Sequence, residues 1–386
     1  MTAGFVPPPY PHDRLVELRQ IADAVPGGVV DASVGTPVDP LPDAALGPLV
    51  AAAAGATGYP PSIGTLALRE AASSWVERRF AVAVPPGDVI ACVGTKEVVA
   101  SLPRLLSLRD PARDTVLYPA VSYPTYEMGA RLAGLRAVPV PVDRDWRLDF
   151  SQVSHDDARR ALLLWLNEPT NPTGTSMISD RVRGAIEWAR GHGAVVASDE
   201  CYAEFTYDDA GEPAPPVTAL AAGTDGVLAV HSLSKRSNMA GLRAGFVTGD
   251  RDLVRYLGEV RKHAGLIVPT PVQAAAAAAL GDDEHVREQR ARYARRRKLA
   301  IDGLRGWGLA HDGGPSTFYL WLCGAAVGPH AGCDGWELAR RLAEAGTLVM
   351  PGDTYGPAGV DHVRLSLTVT DDRLALALDR LASAPA

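Results

Sequence analysis

A lysine flanked by small hydroxyl residues is the first feature of the sequence that could do covalent chemistry. Lys235 lies in the segment Ser232-Leu-Ser-Lys-Arg, directly after the apolar run 227–231, and Arg243 follows it closely. A lysine amine can attack an aldehyde as a nucleophile and, once released, can carry protons. Ser232, Ser234 and Arg243 could hold phosphate oxygens by charge-assisted hydrogen bonds. The motif favours a Schiff-base lysine for a phosphorylated aldehyde, although alone it also fits a surface loop.

An acidic residue follows a second apolar run. Asp199 lies in Ser-Asp-Glu-Cys-Tyr202, after residues 194–197. A carboxylate at the end of a buried strand is costly unless it has a charged partner. A pyridinium N–H is such a partner, and a protonated ring is an electron sink. Tyr202 could donate to a phenolate oxygen on the same ring. The alternative for Asp199 is a helix N-cap, and by itself this alternative is the better one.

Two turns offer further polar contacts. Asn171 lies in the Pro- and Gly-containing turn 167–174, which follows the apolar run 161–166. Its amide could donate to the same phenolate oxygen, although a plain turn explains it equally well. Thr95 and Lys96 stand where a predicted strand gives way to a helix. Helix N-termini bind anions, but an ordinary capped helix would have the same short sequence.

These segments share one property, because each follows a predicted strand and each offers a different contact to one cofactor. In chain order the candidates are Thr95, Lys96, Tyr123, Asn171, Asp199, Tyr202, Ser232, Ser234, Lys235 and Arg243. Each motif also has an explanation without a cofactor, such as a surface loop, a turn or a helix cap. All of these explanations would have to hold together if the residues bound no cofactor. The sequence therefore predicts a site for pyridoxal 5'-phosphate (PLP), with Lys235, Asp199 and Tyr202 as its catalytic residues.

Short apolar runs alternate with helical patterns over the part of the chain that carries these residues. Strands are predicted at 89–93, 115–118, 161–166, 194–198 and 227–231, and helices at 96–106 and 179–191. Uninterrupted apolar strands are typical of a sheet that is buried on both faces. The alternation predicts an α/β fold whose central, mainly parallel sheet lies between helices.

The C-terminal part has a different pattern, which predicts a smaller α+β unit. Its expected elements are helices at 283–306 and 336–345 and strands at 317–323, 347–350 and 362–368. The first ~40 residues are Pro-rich, and we expect them to be extended and to pack on this unit. The predicted divisions are 1–40 for this segment, 41–275 for the large domain and 276–386 for the small domain.

Composition narrows the classes of function. The formal net charge of -7 disfavours a nucleic-acid binder. The sequence contains no run of ~18 uncharged apolar residues, which a membrane-spanning helix would need, so we expect no membrane span. The four cysteines form no CxxC pair, and no export signal is evident, so we expect reduced thiols in a cytoplasmic protein. The nine histidines are scattered, and we therefore expect no metal site.

From Val34 to Arg364 the chain resembles class I/II aminotransferases of PLP fold type I. The resemblance rests on the combination of NPTG, SDE-x-Y and SLSK-x7-R. It implies a large PLP domain, a small domain from both termini and a homodimer whose active sites lie at the subunit interface. It also implies that Tyr59 reaches the partner's phosphate, although a turn residue is an equal alternative. Arg364, Gly35 and Asn171 would contact the substrate, and Arg364 would grip its α-carboxylate.

A closer resemblance is to the N-succinyldiaminopimelate aminotransferases of lysine biosynthesis. It rests on five stretches: 33–40, 94–97, 122–126, 231–235 and 261–265. It implies exchange of an amino group between N-succinyl-LL-2,6-diaminopimelate and 2-oxoglutarate. Lys96, Arg236 and Arg261 are candidates to hold the succinyl carboxylate. Two alternatives stay open: another fold type I PLP enzyme in a specialised pathway, whether an aminotransferase, a lyase or a bond-forming enzyme, and a non-catalytic relative, which the intact Lys235 disfavours.

Overall fold

The computed structural model describes residues 5–177 and 179–383, and these form two compact units. The large unit consists of residues 36–295 with 313–318, and the small unit of residues 5–35, 296–312 and 319–383. The domain limits that the sequence suggested stay a prediction. Among the described residues, no helix has both the length and the apolar character that a membrane crossing needs.

Helices and strands are numbered along the chain. The helices are α1 (Val16–Asp23), α2 (Asp43–Ala54), α3 (Leu66–Phe80), α4 (Thr95–Arg109), α5 (Thr125–Leu132), α6 (His155–Arg160), α7 (Ser179–Gly191), α8 (Leu233–Arg236), α9 (Arg251–His263), α10 (Thr270–Gly281), α11 (Glu284–Gly306), α12 (Gly335–Glu344) and α13 (Asp371–Ser383). The strands are β1 (Val30–Asp31), β2 (Val89–Cys92), β3 (Thr115–Pro119), β4 (Arg136–Val140), β5 (Ala161–Asn167), β6 (Val195–Asp199), β7 (Val227–Ser232), β8 (Gly245–Gly249), β9 (Leu309–His311), β10 (Tyr319–Gly324), β11 (Thr347–Leu348), β12 (Met350–Pro351) and β13 (His362–Ser366).

A seven-stranded sheet forms the centre of the large unit, in the order β2-β8-β7-β6-β5-β3-β4. Strands β3 to β7 pair in parallel, and β8 runs antiparallel to both of its neighbours. The predicted α/β fold with a mainly parallel sheet is confirmed. Strand β8 was not predicted from the sequence, because its short run follows the lysine motif without an intervening long helix.

Apolar side chains of β5 alternate between two cores. Leu164 and Leu166 belong to one cluster of buried residues, whereas Leu163 and Trp165 belong to another. This alternation explains why β5 has no polar face, since both faces of the sheet are covered. Each such side chain contributes roughly 1.5–3 kcal/mol when it leaves water. Burial on both faces therefore fixes the strand, and with it the place where the strand ends.

The carboxyl ends of three neighbouring strands meet at one edge of the sheet. Strand β5 ends at Asn167, β6 at Asp199 and β7 at Ser232. Asn167 pairs with Asp199 in the register of β5 and β6. Ligands of open α/β sheets bind outside this edge. The fold thus brings together residues that lie more than sixty positions apart in the chain.

The small unit contains a four-stranded antiparallel sheet in the order β12-β13-β10-β9, and a parallel pair of β1 and β11. The expectation of an extended N-terminal segment is wrong over residues 11–23. Pro11–Leu15 forms a short 3₁₀ helix, which leads directly into α1. Leu15, Leu18 and Ala22 are buried on one face of this stretch. That helical spacing stabilises the segment through packing, which the Pro-rich composition concealed.

Candidate active site

Lys235 lies in the short helix α8, directly after β7. The Ser232 side chain accepts a hydrogen bond of 3.1 Å from the backbone N–H of Ser234, which fixes the start of the turn. The Lys235 Nζ atom lies 5.9 Å from the ring centroid of Phe318. The amine therefore lies near an aromatic ring, at the edge of the sheet where the parallel strands end.

Asp199 is a buried carboxylate at the end of β6. It accepts hydrogen bonds from the Tyr126 hydroxyl at 2.9 Å and from the Cys201 backbone N–H at 3.2 Å. Burial raises the pKa of Asp199, because desolvation penalises its charged form. The carboxylate is not a helix N-cap, since the next helical turn begins only at Ala203. A protonated ring nitrogen would supply the opposite charge that this buried group needs.

Tyr126 is a site residue to which the sequence analysis gave no role. Its ring stacks on Trp165, with 5.1 Å between centroids, and meets Tyr123 edge to face at 5.9 Å. This packing aims the hydroxyl at Asp199. The only sequence signal was its place in the stretch 122–126, because the partner of the hydroxyl lies on another strand.

Asn167 joins two of the predicted site residues, and it too was missed. Its side-chain amide donates to the Asp199 carbonyl oxygen at 2.9 Å, and its side-chain oxygen accepts from the Asn171 N–H at 2.7 Å. Both Asn171 and Tyr202 are buried. The Tyr202 ring packs edge to face against Phe318, with centroids 5.4 Å apart. Asn167 therefore fixes the Asn171 loop relative to Asp199.

Arg243 and Ser234 lie together beside the start of α4, an arrangement that could hold an anion. Gly94 has φ +70°, and a Cβ atom there would lie 2.1 Å from an Arg243 Nη atom. The guanidinium of Arg243 thus occupies the space that any side chain at Gly94 would fill. Its Nη1 atom lies 3.5 Å from the Ser234 hydroxyl. Thr95 begins α4, whose first N–H groups have no partner within the helix.

These residues fit PLP. The cation Arg243, the hydroxyl of Ser234 and the N-terminus of α4 suit a phosphate, and Lys235 suits an aldehyde. Asp199, whose pKa is raised by burial, suits a protonated pyridine nitrogen. When bound, PLP supplies the electron sink that stabilises negative charge at the Cα atom of an amino acid. The chain's own contribution is to orient, hold and shield these groups.

Two predicted substrate residues lie in the small unit. Arg364 is buried, donates to the Ser33 carbonyl oxygen at 2.7 Å, and has its guanidinium carbon 4.0 Å from the Tyr319 ring centroid. A Cβ atom on Gly35 would lie 1.8 Å from the Tyr319 hydroxyl oxygen. No residue with a side chain fits at Gly35 with Tyr319 in this position. The small unit thus groups Gly35, Tyr319 and Arg364.

The structure contradicts two of the three candidates for a distal carboxylate. Arg236 is buried and donates to the Ala279 carbonyl oxygen at 2.6 Å. Arg261 is also buried, and it donates to both carboxylate oxygens of Glu97 at 2.5 and 2.9 Å. Because these guanidinium groups are paired inside the large unit, the prediction for Arg236 and Arg261 was wrong. Lys96, by contrast, is exposed.

Comparison with known proteins identifies the family. The model of aminotransferase class I and II matches residues 30–381. The chain belongs to this family. A probable aminotransferase of Mycobacterium tuberculosis is 44% identical over 97% of this chain and 85% of its own length. A 4-dedimethylamino-4-oxo-anhydrotetracycline transaminase of Streptomyces rimosus is also 44% identical, over 97% of this chain and 99% of its own. Like other members of the family, this aminotransferase depends on PLP.

A solved structure gives the same fold. The probable N-succinyldiaminopimelate aminotransferase of Thermus thermophilus superimposes with a TM-score of 0.86. It is 31% identical and covers 97% of this chain and 100% of that one. This aminotransferase therefore shares the fold type I architecture that its sequence motifs predicted.

Proposed function

We propose that this aminotransferase exchanges an amino group between N-succinyl-LL-2,6-diaminopimelate and 2-oxoglutarate, in lysine biosynthesis. The observation that carries the proposal is the buried Arg364 guanidinium, which lies between the Tyr319 and Tyr355 rings at 4.0 and 5.0 Å. A planar, oriented guanidinium suits a bidentate grip on the α-carboxylate that both substrates have. Similarity to the Thermus thermophilus protein supports the succinylated donor.

The residues have the following proposed roles. Lys235 binds the cofactor covalently and carries the proton at the substrate Cα atom. Asp199 pairs with the ring nitrogen, Tyr202 and Asn171 donate to the ring oxygen, and Tyr123 lies against the ring. Thr95, Lys96, Ser232, Ser234 and Arg243 hold the phosphate, and Tyr59 does so in a partner subunit. Gly35, Asn171 and Arg364 receive the substrate carboxylate.

The role of Lys235 is tested by chemical labelling. Borohydride reduction of the holoenzyme, followed by peptide mapping, should leave the cofactor attached to Lys235. This expectation rests on its position after β7, beside the Phe318 ring. Lys262, which pairs with Glu259 at 2.6 Å, is a matched control in the same unit. Attachment to Lys96 or Lys262 instead would exclude the assignment.

The substrate proposal is tested by comparing kcat/KM for N-succinyl-diaminopimelate and free diaminopimelate, with 2-oxoglutarate as acceptor. The succinylated compound should be the better donor. Each half-reaction is followed separately by the change in cofactor absorbance, as the cofactor gains an amino group from the donor and then loses it to 2-oxoglutarate. Equal kcat/KM values, or no spectral change with either compound, would reject this donor. The assignment as an aminotransferase does not depend on the result.

A second candidate function has a specific observation in its favour. The Streptomyces rimosus transaminase is as similar to this chain as any relative named above, and its name specifies a polycyclic ketone. A polycyclic ketone is therefore the alternative amino acceptor, in a specialised pathway. If glutamate loads the cofactor with an amino group and only such a ketone then discharges it, the second candidate replaces the first.

A further inference from the structure

Three side chains with metal-binding atoms converge in the small unit, and none of them has a role in the proposed transamination. Asp312, Cys323 and His362 each offer one ligand atom, and these atoms all lie within 4.8 Å of one another. They are a carboxylate oxygen, a thiol sulphur and an imidazole nitrogen. The sequence gave no hint of this cluster, because the three residues are separated along the chain and form no recognised metal motif.

The strand register explains the convergence. Cys323 on β10 lies directly opposite His362 on β13, so their side chains share one face of the sheet. Asp312 follows β9 on the other side of β10, and its N–H donates to the Trp321 carbonyl oxygen at 2.9 Å. Strands β10 and β13 and the residue that follows β9 therefore each contribute one ligand.

The His362 side chain spans the middle strand. Its ring lies flat on Trp321, with centroids 4.9 Å apart and an interplanar angle of 6°. Its Nε2 atom thereby comes within 3.0 Å of an Asp312 carboxylate oxygen. The His362 side chain is 10% exposed and the Asp312 side chain 50% exposed. The imidazole is thus held rigidly, whereas the carboxylate is accessible to solvent and can adjust.

We propose that Asp312, Cys323 and His362 bind a zinc ion, with water as the fourth ligand. Thiolate, imidazole and carboxylate together suit zinc better than they suit magnesium or calcium, which prefer oxygen ligands. Zinc bonds of about 2.0–2.3 Å in tetrahedral geometry place ligand atoms roughly 3–4 Å apart. The 3.0 Å between His362 Nε2 and an Asp312 carboxylate oxygen already falls in that range, and all three ligand atoms lie within 4.8 Å of one another.

Zinc binding replaces one bond of the Cys323 sulphur atom with another. The zinc–sulphur bond forms as the S–H bond of Cys323 breaks, and the proton passes to solvent. The ion then links β9, β10 and β13. Because the unfolded chain lacks this arrangement, bound zinc stabilises the folded state by mass action.

The test uses the holoenzyme after treatment with EDTA and dialysis. Calorimetric titration with zinc should show one ion bound per chain, and magnesium should show none. Alkylation with iodoacetamide, read by mass spectrometry, should be slowed by zinc at Cys323. Cys333 is a matched internal control, since it is also partly buried and lies in the same unit. Its alkylation should not change.

Variants of the three residues test which side chains bind the zinc ion. Asp312→Asn and His362→Gln should each weaken zinc binding by at least about tenfold, whereas Cys333→Ser should bind zinc as the parent does. If His362→Gln fails to fold because Trp321 loses its stacking partner, the exposed Asp312→Asn variant decides alone. The absence of stoichiometric zinc binding in the parent, or unchanged zinc affinity in folded Asp312→Asn, would overturn the proposal. No readout here uses transamination, so the result is independent of the proposed substrate.

Discussion

A negative charge on Asp199 would lie where water does not compensate it, and burial raises the pKa of this carboxyl group. Two donors, the Tyr126 hydroxyl and the Cys201 N–H, satisfy its oxygens. Neither carries a full positive charge, so the carboxylate can still pair with a protonated ring nitrogen. At the scale of single residues, the electrostatics of the site therefore depend on one carboxylate more than on any other group.

We expect Asp199→Asn to lower kcat by about 100-fold or more, because asparagine cannot keep a ring nitrogen protonated by charge. The measurement is steady-state kcat, with circular dichroism to show an intact fold. Tyr126→Phe is the matched control, since it removes one hydrogen bond and leaves the charge. It should cause a much smaller loss. Unchanged turnover in Asp199→Asn would refute the ion-pair role.

Arg364→Ala should weaken amino-acid binding by about 1.5–3 kcal/mol and leave PLP binding nearly unchanged, because a carboxylate loses a charge-assisted partner. KM for the amino donor and the dissociation constant for PLP measure the two effects. Arg373→Ala is the control in the same unit, since the Arg373 side chain donates to the backbone carbonyl oxygens of residues 27–29. It should change stability without changing KM. Equal losses of PLP and substrate affinity in Arg364→Ala would indicate a structural arginine.

At the scale of elements, the loop between β5 and α7 contains a second buried acid. Glu168 is buried and accepts a hydrogen bond from the Met177 N–H at 2.8 Å. Desolvation raises the pKa of Glu168 to about 8, and burial raises that of nearby Glu200 to about 7. The loop that carries Asn171 is therefore built on a carboxyl group that the fold keeps protonated at neutral pH.

This pKa predicts how stability depends on pH. Between the ordinary glutamate value and pH 8, folded Glu168 holds a proton that the unfolded chain has lost, so stability falls as pH rises through this window. The contribution is at most about 1.4 kcal/mol per pH unit. Glu168→Gln stays neutral, and it should flatten the decline of Tm between about pH 5 and 8. Glu212→Gln, at an exposed position, should keep the parent slope. An equally steep decline in Glu168→Gln would contradict the prediction.

At the scale of the whole molecule, several of the exposed large apolar side chains fall within one segment of the chain. Between residues 38 and 66 they are Val38, Leu46, Val50, Tyr59 and Leu66. Contiguous exposed apolar surface marks interaction sites. Tyr59 is 99% exposed. We therefore propose that this segment forms the interface of a homodimer.

Val50→Asp should shift the protein from dimer to monomer, because an interface cannot bury an unpaired charge without cost. Light scattering coupled to size-exclusion chromatography measures the mass. Leu108→Asp is the matched control, since Leu108 is exposed to a similar degree at the end of another helix. It should leave the mass unchanged. A monomeric parent, or a dimer that tolerates Val50→Asp, would refute this interface.

The sequence by itself determined the residues that follow the buried strands and the class of chemistry that they fit. Apolar runs fix β5, β6 and β7 within one or two residues, since a strand that is covered on both faces must end where polar residues begin. Asn167, Asp199 and Ser232 end these strands. Their motifs were therefore enough to predict the fold class, the cofactor and the aminotransferase family.

Only the tertiary structure decided which side chains contact one another. The hydroxyl of Tyr126 reaches Asp199, Arg261 is neutralised by Glu97, and the antiparallel β8 separates β2 from β7. Asp312, Cys323 and His362 meet only through the register of three strands. The pairs Tyr126–Asp199 and Glu97–Arg261 join residues far apart in the chain. Local patterns report which side chains leave water and where elements end, whereas the partner of a buried polar group is set by how distant elements pair.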